Sequence, residues 1–183
     1  MHVLLLHRSH EGHTKTIAQH LATVLEQDGH NPEVAALKDA PAFAGYDAVV
    51  IGASIHVEKF DQKLIDYVNE HKATLEHLPT AFFSVCLRAA QQDAASQQIV
   101  QGYLDSLVAK TGWQPTLATS FAGAVKYREY NFLVRQLMKR IAKEAGLSTD
   151  TSQNHIYTDW NAVTAFAKEL AALSLHRAAS TSG

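Results

Sequence analysis

The stretch LLLHRSHEGHT, residues 4–14, begins as an apolar run and breaks into a polar loop that contains one glycine. A short apolar run is typical of a buried parallel strand, so we expect a strand over residues 3–6. The sequence after the loop, TKTIAQHLATVLEQDG, has apolar residues at the spacing of an amphipathic helix, and Gly29 closes it. The chain therefore predicts a strand, a hydroxyl-flanked loop and a helix that begins near Thr14.

The alternation of strands and helices continues along the chain. Further short apolar runs predict strands, and the segments between them carry apolar residues at helical spacing. The predicted strands lie at residues 33–37, 47–52, 81–86 and 115–121, and the predicted helices are centred on residues 60–68 and 99–108. Such alternation gives a parallel α/β sheet that binds ligands at the carboxyl ends of its strands. We therefore expect a ligand near the loops that follow Leu6, Ile51, Cys86 and Phe121.

The first of these loops has the chemistry of a phosphate site. A helix N-terminus presents free backbone N–H groups and a partial positive charge, and both attract a phosphate. Ser9 and Thr14 add hydroxyl donors, Gly12 lets the backbone turn, and His10 and His13 add donors and, when protonated, positive charge. Neither GxxxxGK[ST] nor GxGxxG is present, so the single phosphate of a mononucleotide suits the loop best. A capped strand–helix turn with no ligand is the alternative.

Several longer motifs resemble one known family. They are SHEGHT at residues 9–14, VVIGASIHVEKF at 49–60, FFSVCL at 82–87, FAGAVKYREY at 121–130 and STDT…YTDW at 148–160. In order and spacing they resemble the flavodoxin family and, within it, the bacterial menaquinone-dependent protoporphyrinogen IX dehydrogenases, over roughly residues 1–173. The resemblance implies a doubly wound, five-stranded parallel sheet of order 2-1-3-4-5 with a helical insertion near the fifth strand. It implies one domain over residues 1–175, with the insertion at about 126–154, and a disordered tail over 176–183.

The resemblance implies FMN as the cofactor and assigns its contacts to four loops. The first would hold the FMN phosphate, the second and third would border the two sides of the isoalloxazine ring, and the fourth would close the site. These residues are Ser9, His10, Glu11, Gly12, His13 and Thr14; Ala53, Ser54, Ile55 and His56; Ser84, Val85, Cys86, Leu87 and Arg88; and Ala122, Gly123, Ala124, Lys126 and Tyr127. Glu11 stands where the family has a hydroxyl, and its carboxylate must point to solvent because it repels phosphate.

The function implied by the resemblance is the oxidation of protoporphyrinogen IX to protoporphyrin IX, in haem biosynthesis, with a quinone as electron acceptor. The flavin would carry the chemistry, so we expect no catalytic acid, base or nucleophile, and Ser54, His56 and Asp61 are contact or surface residues. Small residues at Gly52, Ala53 and Ser54 suit the close approach of a flat ring. A different flavodoxin-like quinone reductase or electron carrier is one alternative. A binding domain that has lost flavin is another.

The insertion concentrates positive charge. Residues 126–143 hold six basic side chains against one acidic side chain, although the whole chain has a net charge of −2. The side chains expected to contact substrate or membrane are Arg128, Arg135, Lys139, Arg140 and Lys143. Three interpretations stay open: a solvated helix over residues 127–146 that packs its apolar stripe on the domain, a platform for the two propionates of the porphyrinogen, and contact with an anionic membrane face.

The bulk composition excludes several classes of protein. A chain of 183 residues with 46 % apolar residues and a small net negative charge suits one globular domain and argues against a nucleic-acid binder. The chain has one cysteine, Cys86, so no intrachain disulfide can form. We expect Cys86 to be a core residue. The eleven histidines form no recognised metal motif, so we expect no metal. We expect a cytoplasmic protein that touches the inner membrane only peripherally, and the oligomeric state stays open.

Overall fold

A computed structural model describes the backbone of residues 1–180 and side chains as far as residue 173. Its sheet has five parallel strands in the order β2-β1-β3-β4-β5. The strands are β1 (His2–Arg8), β2 (Asn31–Ala36), β3 (Ala48–Ser54), β4 (Thr80–Cys86) and β5 (Leu117–Ala122). The predicted fold class and strand order are therefore confirmed.

Four long helices cover the sheet, two on each face. The five α-helices that the structure describes are α1 (His13–Gln27), α2 (Gln62–Leu75), α3 (Ala94–Thr111), α4 (Phe132–Glu144) and α5 (Trp160–Ser180). One apolar cluster joins α1 and α5 to the sheet, and a second joins α2 and α3 to its other face. Asp159 accepts hydrogen bonds from the N–H groups of Asn161 and Ala162 and so caps the N-terminus of α5.

The start of β2 and the end of α5 differ from the sequence prediction. β2 begins at Asn31 rather than at residue 33, because its register with β1 pairs His2 with Asn31 and Val3 with Pro32. A proline is tolerated there because β2 is an edge strand. The predicted tail at 176–183 overlaps α5 as far as residue 180, and residues 181–183 lie outside the described part.

Gly52 serves the core rather than a ligand. A Cβ atom added to Gly52 would lie 2.0 Å from the Cζ atom of Phe83, whose ring is fully buried on the neighbouring strand. The prediction that this glycine admits a flat ligand ring is therefore wrong, because the ring it admits is Phe83. Ala53 and Ser54 follow it at the end of β3, nearer the expected site.

The insertion folds as a small unit beside the carboxyl ends of the strands. Its two short strands, β6 (Ala124–Val125) and β7 (His155–Ile156), pair antiparallel. Its own apolar cluster buries Val125, Tyr127 and Ala142. None of the helices in the described part of the chain has the length and apolar character that a bilayer crossing demands.

The helix of the insertion is shorter and more exposed than predicted. α4 begins at Phe132 because the Asn131 side chain caps it, so residues 127–131 are not helical. Most of the apolar stripe does not pack on the domain: Leu133 is 78 % exposed and Leu137 is 57 % exposed, whereas Met138 packs against the insertion's own cluster. The interpretation of α4 as a helix that buries its apolar stripe is therefore wrong.

Candidate functional site

The loop between β1 and α1 leaves the N-terminus of α1 without a side-chain cap. Gly12 holds the left-handed conformation, with φ of 81°, which a side chain would strain. The first helical hydrogen bond runs from Thr16 N to Gly12 O, so the N–H groups before Thr16 have no helical partner. This turn presents backbone donors to an anion, as the sequence predicts.

Two buried hydroxyl groups at the carboxyl ends of the strands lack partners. Thr14 is 1 % exposed and its Oγ1 atom has no hydrogen-bond partner within the described residues. The Oγ atom of Ser54, at the end of β3, is likewise buried and unpaired. Buried hydroxyls are nearly always paired in folded proteins, so both atoms fit a polar ligand at this edge of the sheet.

His13, the first residue of α1, is held in its neutral form. Its Nε2 atom lies 2.6 Å from the Oγ1 atom of Thr158, which donates its own proton to the carbonyl of Ala122 at 2.7 Å. Nε2 must therefore carry the hydrogen. Burial and the nearby Lys126 charge lower the pKa of His13. The predicted positive charge at His13 is thus disfavoured, and the ring ties α1 to β5 instead.

His10 and His56 connect the first loop to the loop after β3. Their rings stack with centroids 4.9 Å apart, and His10 Nε2 lies 3.5 Å from the Asp61 carboxylate. Arg8 donates to the same carboxylate through Nε at 3.0 Å. Burial raises the pKa of Asp61, but the N–H of Lys63 and the charge of Arg8 outweigh it, so the pKa lies below its usual value.

A surface depression of about 390 Å³ lies beside this cluster. Its wall consists of His10, His56, Lys59, Phe60, Asp61, Gln62 and Lys110. Next to it, His56 and Lys59 pair across a tight turn whose central residues, Val57 and Glu58, both have positive φ. A β-branched residue rarely adopts that conformation, and Val57 is 76 % exposed at the tip.

The loop after β4 divides into buried and accessible parts. Ser84 is fully buried, and its Oγ atom bonds that of Ser120 on β5 at 2.6 Å, so its hydroxyl is used inside the sheet. Cys86 is buried, and burial raises the pKa of its thiol, as suits a core residue. Val85 accepts a hydrogen bond from Ile55 N at 2.9 Å, which joins the second loop to the third.

The residues that follow in this loop face the rest of the site. A 3-10 turn covers Leu87–Ala90. Arg88 lies 4.0 Å from the Glu58 carboxylate, while Leu87 packs against the insertion. Arg88 and Glu58 thus span the gap between the loops after β3 and β4. Of the third-loop residues, Leu87 and Arg88 are partly exposed, whereas Ser84, Val85 and Cys86 are buried.

The fourth loop is fixed by its backbone. Gly123 donates to Cys86 O and accepts from Tyr157 N, both at 3.1 Å. Ala124 pairs with Ile156 in the short antiparallel sheet. Tyr127 is fully buried and donates its hydroxyl to Ser148 O at 3.1 Å. It belongs to the apolar cluster of the insertion, against which Leu87 of the third loop also packs.

The basic residues of the insertion fall into two groups. Arg135 donates to the carbonyls of Tyr127 and Tyr130, both at 3.0 Å, so it holds the local fold. Arg140 pairs with Glu144 one turn along α4. The exposed side chains with no ion pair among the described residues are Arg128, Lys139 and Lys143. Lys126 pairs with Glu129 at 3.3 Å.

The Glu11 carboxylate is directed to the insertion. Its Oε2 atom accepts a hydrogen bond from the Tyr130 hydroxyl at 2.5 Å. The Glu11 carboxylate is solvent-exposed, as its expected repulsion of phosphate requires.

The sequence motifs include Tyr130 and Thr158, but the motifs alone assigned neither residue a role in the site. The threonine of the YTDW motif was the available signal for Thr158, because it precedes the cap of α5. No three His, Cys, Asp or Glu side chains of the described residues converge as a metal site.

The family model for the flavodoxin domain matches residues 4–152. The chain belongs to the flavodoxin domain family. It is 34 % identical to protoporphyrinogen IX dehydrogenase [quinone] of Escherichia coli (strain K12) over 95 % of this chain and 97 % of that protein. It is 38 % identical to the protein of the same name from Leishmania major, over 94 % of this chain and 75 % of that protein. The resemblance drawn from the motifs is therefore confirmed, and this membership implies that the chain binds a flavin.

Solved structures agree with the fold. A flavodoxin from Streptococcus pneumoniae TIGR4 superposes with a TM-score of 0.55 at 14 % identity, covering 94 % of this chain and 99 % of that chain. The two-electron reduced flavodoxin of Megasphaera elsdenii gives a TM-score of 0.52 at 15 % identity, over 66 % of this chain and 85 % of that chain. At these identities the likeness concerns the fold alone.

Proposed function

We propose that the chain is an FMN-dependent enzyme that oxidises protoporphyrinogen IX to protoporphyrin IX and reduces a quinone, in haem biosynthesis. Relatives that carry this activity in their names align over almost the whole chain, insertion included. The observation that carries the proposal is the unpaired, buried Thr14 hydroxyl at the uncapped N-terminus of α1. A mononucleotide phosphate satisfies both of these features at once.

The residues of the four loops fit FMN. Thr14 and the free N–H groups of α1 would hold the phosphate, with Ser9 as a further donor. The segment from Ala53 to His56 and the side chains Leu87 and Arg88 would border the ring, where the Ser54 hydroxyl has no other partner. Bound FMN supplies a redox centre that exchanges two electrons at a time.

The chain itself supplies orientation and electrostatics. Each oxidation step takes two electrons and two protons from the porphyrinogen, and the quinone receives both to become the quinol. The exposed cations Arg128, Lys139 and Lys143 are suited to the propionates of the porphyrinogen. We expect the flavin to carry the chemistry without a dedicated acid or base of the chain, so that the protein contributes by binding and by excluding alternative orientations.

Anaerobic turnover tests this function. Purified protein, FMN and a quinone should release fluorescent protoporphyrin from protoporphyrinogen IX, and the rate should fall to the level of the protein-free control when FMN is left out. A protein that binds FMN and reduces quinone with another donor, yet makes no porphyrin above that control, would instead be a different quinone reductase. A protein that binds no flavin would contradict the proposal at its first step.

We also propose that α4 touches an anionic membrane surface from the cytoplasmic side, where a lipid-soluble quinone is available. Leu133, Leu137 and Ile141 recur every four residues along α4 and are exposed, which gives one apolar stripe. Lys139 and Lys143 lie on the same short helix. An apolar stripe with adjacent cations is the pattern of a helix that lies in a membrane interface.

Vesicle binding tests the membrane contact. Vesicles that contain anionic phospholipid should sediment the protein, and Leu133→Gln with Leu137→Gln should reduce the bound fraction severalfold. Ile99→Gln is the matched control, because Ile99 is an exposed apolar residue of α3. Equal sedimentation of all three proteins would exclude α4 as the contact and would favour its role as the propionate platform.

A further inference from the structure

One hydrogen bond joins the phosphate loop to the insertion across 119 positions of sequence. The Tyr130 hydroxyl donates to the Glu11 carboxylate at 2.5 Å and accepts from Lys126 N at 3.3 Å. Burial and the adjacent Glu11 raise the pKa of Tyr130, so the hydroxyl keeps the proton that it donates. The contact is therefore a charge-assisted hydrogen bond between two separate parts of the fold.

The insertion presents Tyr130 from a stiff frame. Arg135 donates to the Tyr130 carbonyl through Nη2 and to the Tyr127 carbonyl through Nε. Tyr127 is buried and is itself bonded to Ser148. On the far side of the insertion, Gln91 donates to Ala145 O at 2.6 Å, which ties it to the loop after β4. These contacts hold the Tyr130 segment in place in addition to the bond with Glu11.

The loop side of the bond carries a negative charge in a site suited to phosphate. Glu11 directly precedes Gly12, at the turn whose uncapped N–H groups and unpaired Thr14 hydroxyl would hold the phosphate. A free carboxylate at this position can swing toward the phosphate and repel it. A carboxylate bonded to Tyr130 cannot, because the hydrogen bond fixes it on the insertion.

We propose that Tyr130 is a positioning residue that holds the Glu11 carboxylate away from the cofactor phosphate and thereby couples the insertion to the cofactor site. The proposal rests on the FMN site proposed above. Because linkage is reciprocal, a phosphate bound in the loop also favours the docked insertion. Glu11, which stands where the family has a hydroxyl, then serves as the partner through which Tyr130 connects the insertion to the cofactor site.

Flavin affinities test the coupling, with riboflavin as the probe that lacks a phosphate. Tyr130→Phe should raise the dissociation constant of FMN on the order of fivefold, because the freed Glu11 carboxylate then repels the phosphate across solvent by about 1 kcal/mol, and should leave that of riboflavin within about twofold. In a Glu11→Gln background, Tyr130→Phe should change neither value. Tyr46→Phe is the matched control, because Tyr46 donates to the Glu33 carboxylate far from the loop.

A merely structural role of Tyr130 would give a different pattern. It would weaken FMN and riboflavin equally, or would persist in the Glu11→Gln background, and either result overturns the proposal. Trypsin cleavage within the insertion of the flavin-free protein should be faster in Tyr130→Phe and Glu11→Ala than in Tyr46→Phe, and equal rates would also overturn it. If the unsubstituted protein binds no flavin, the FMN function fails, and the cleavage rates still decide whether the contact holds the insertion.

Discussion

The Thr14 hydroxyl is buried without a partner, so its contribution should appear only when a ligand is present. Thr14→Val removes the hydroxyl and keeps the shape. We expect the dissociation constant of FMN to rise about 10- to 100-fold, because a hydrogen bond to a charged group contributes about 1.5–3 kcal/mol. The thermal midpoint of the flavin-free protein should not fall. Fluorescence titration and differential scanning fluorimetry measure the two quantities.

Thr16→Val is the control for that substitution. The Thr16 hydroxyl is exposed and donates to Gly12 O at 3.4 Å within the same turn. Its loss should change the FMN dissociation constant by less than about threefold, because weak exposed hydrogen bonds contribute little. Equal losses in both variants would contradict a specific role for Thr14.

The buried, neutral His13 predicts a loss of stability in mild acid. Its folded pKa is below the ordinary value of 6.5, mainly through burial, so the unfolded chain takes up a proton that the folded chain resists. Stability should fall as pH decreases below about 6.5, with a slope of at most about 1.4 kcal/mol per pH unit for this group. His13→Gln should flatten the slope in urea unfolding series. His7, whose pKa is also lowered by burial, contributes to the slope that remains.

Single-residue roles could be predicted where they follow from backbone chemistry. The turn at Gly12 and the uncapped α1 were accessible because a strand, a polar loop with glycine and a helix leave few alternatives. The use of His13, Ser84 and Tyr127 was not accessible. Each is fixed by a partner distant in sequence, at Thr158, Ser120 and Ser148 in turn, and no local pattern encodes such contacts.

Among the helices, α4 owes its position to very few buried side chains. Ala142 is its only buried residue, and Arg135 supplies two hydrogen bonds to the preceding turn. Arg135→Met should lower the thermal midpoint, because two backbone carbonyls lose their hydrogen-bond donor. Each kcal/mol of unfolding free energy lost should lower the midpoint by about 2–4 °C. Arg140→Met should have almost no effect, since its pair with Glu144 is exposed. Calorimetry compares the two; equal midpoints would show that Arg135 does not hold the turn.

The elements of the sheet were more predictable than those of the insertion. The central strands β1, β3 and β4 contain short buried apolar runs because helices cover both faces of the sheet, and that pattern is local. In α4 the spacing of apolar residues predicted burial, yet Leu133, Leu137 and Ile141 are exposed. Periodicity marks an apolar face but does not say whether protein, membrane or a partner covers it.

The whole molecule places four loops from distant parts of the chain around one edge of the sheet. The parallel order β2-β1-β3-β4-β5 brings the ends of β1, β3, β4 and β5 together, and the insertion closes on them through Glu11 and Gln91. A ligand that contacts several of these segments stabilises the folded chain as one unit. This position followed from the strand pattern alone, because parallel sheets of this order bind at the carboxyl ends of their strands.

FMN should therefore raise the thermal midpoint of the entire domain. At a concentration about 100 times its dissociation constant, a ligand that binds only the folded state contributes about 2.7 kcal/mol, which corresponds to about 5–10 °C for a chain of this size. Riboflavin at the same multiple of its own dissociation constant should raise the midpoint by a similar amount. At equal concentrations of the two ligands, FMN should raise the midpoint more than riboflavin does, because only FMN engages Thr14 and the N-terminus of α1. Calorimetry with both ligands measures the shifts. Equal midpoints at equal, subsaturating concentration would mean that the phosphate is not bound by this loop, and the proposed site would have to move elsewhere on the sheet.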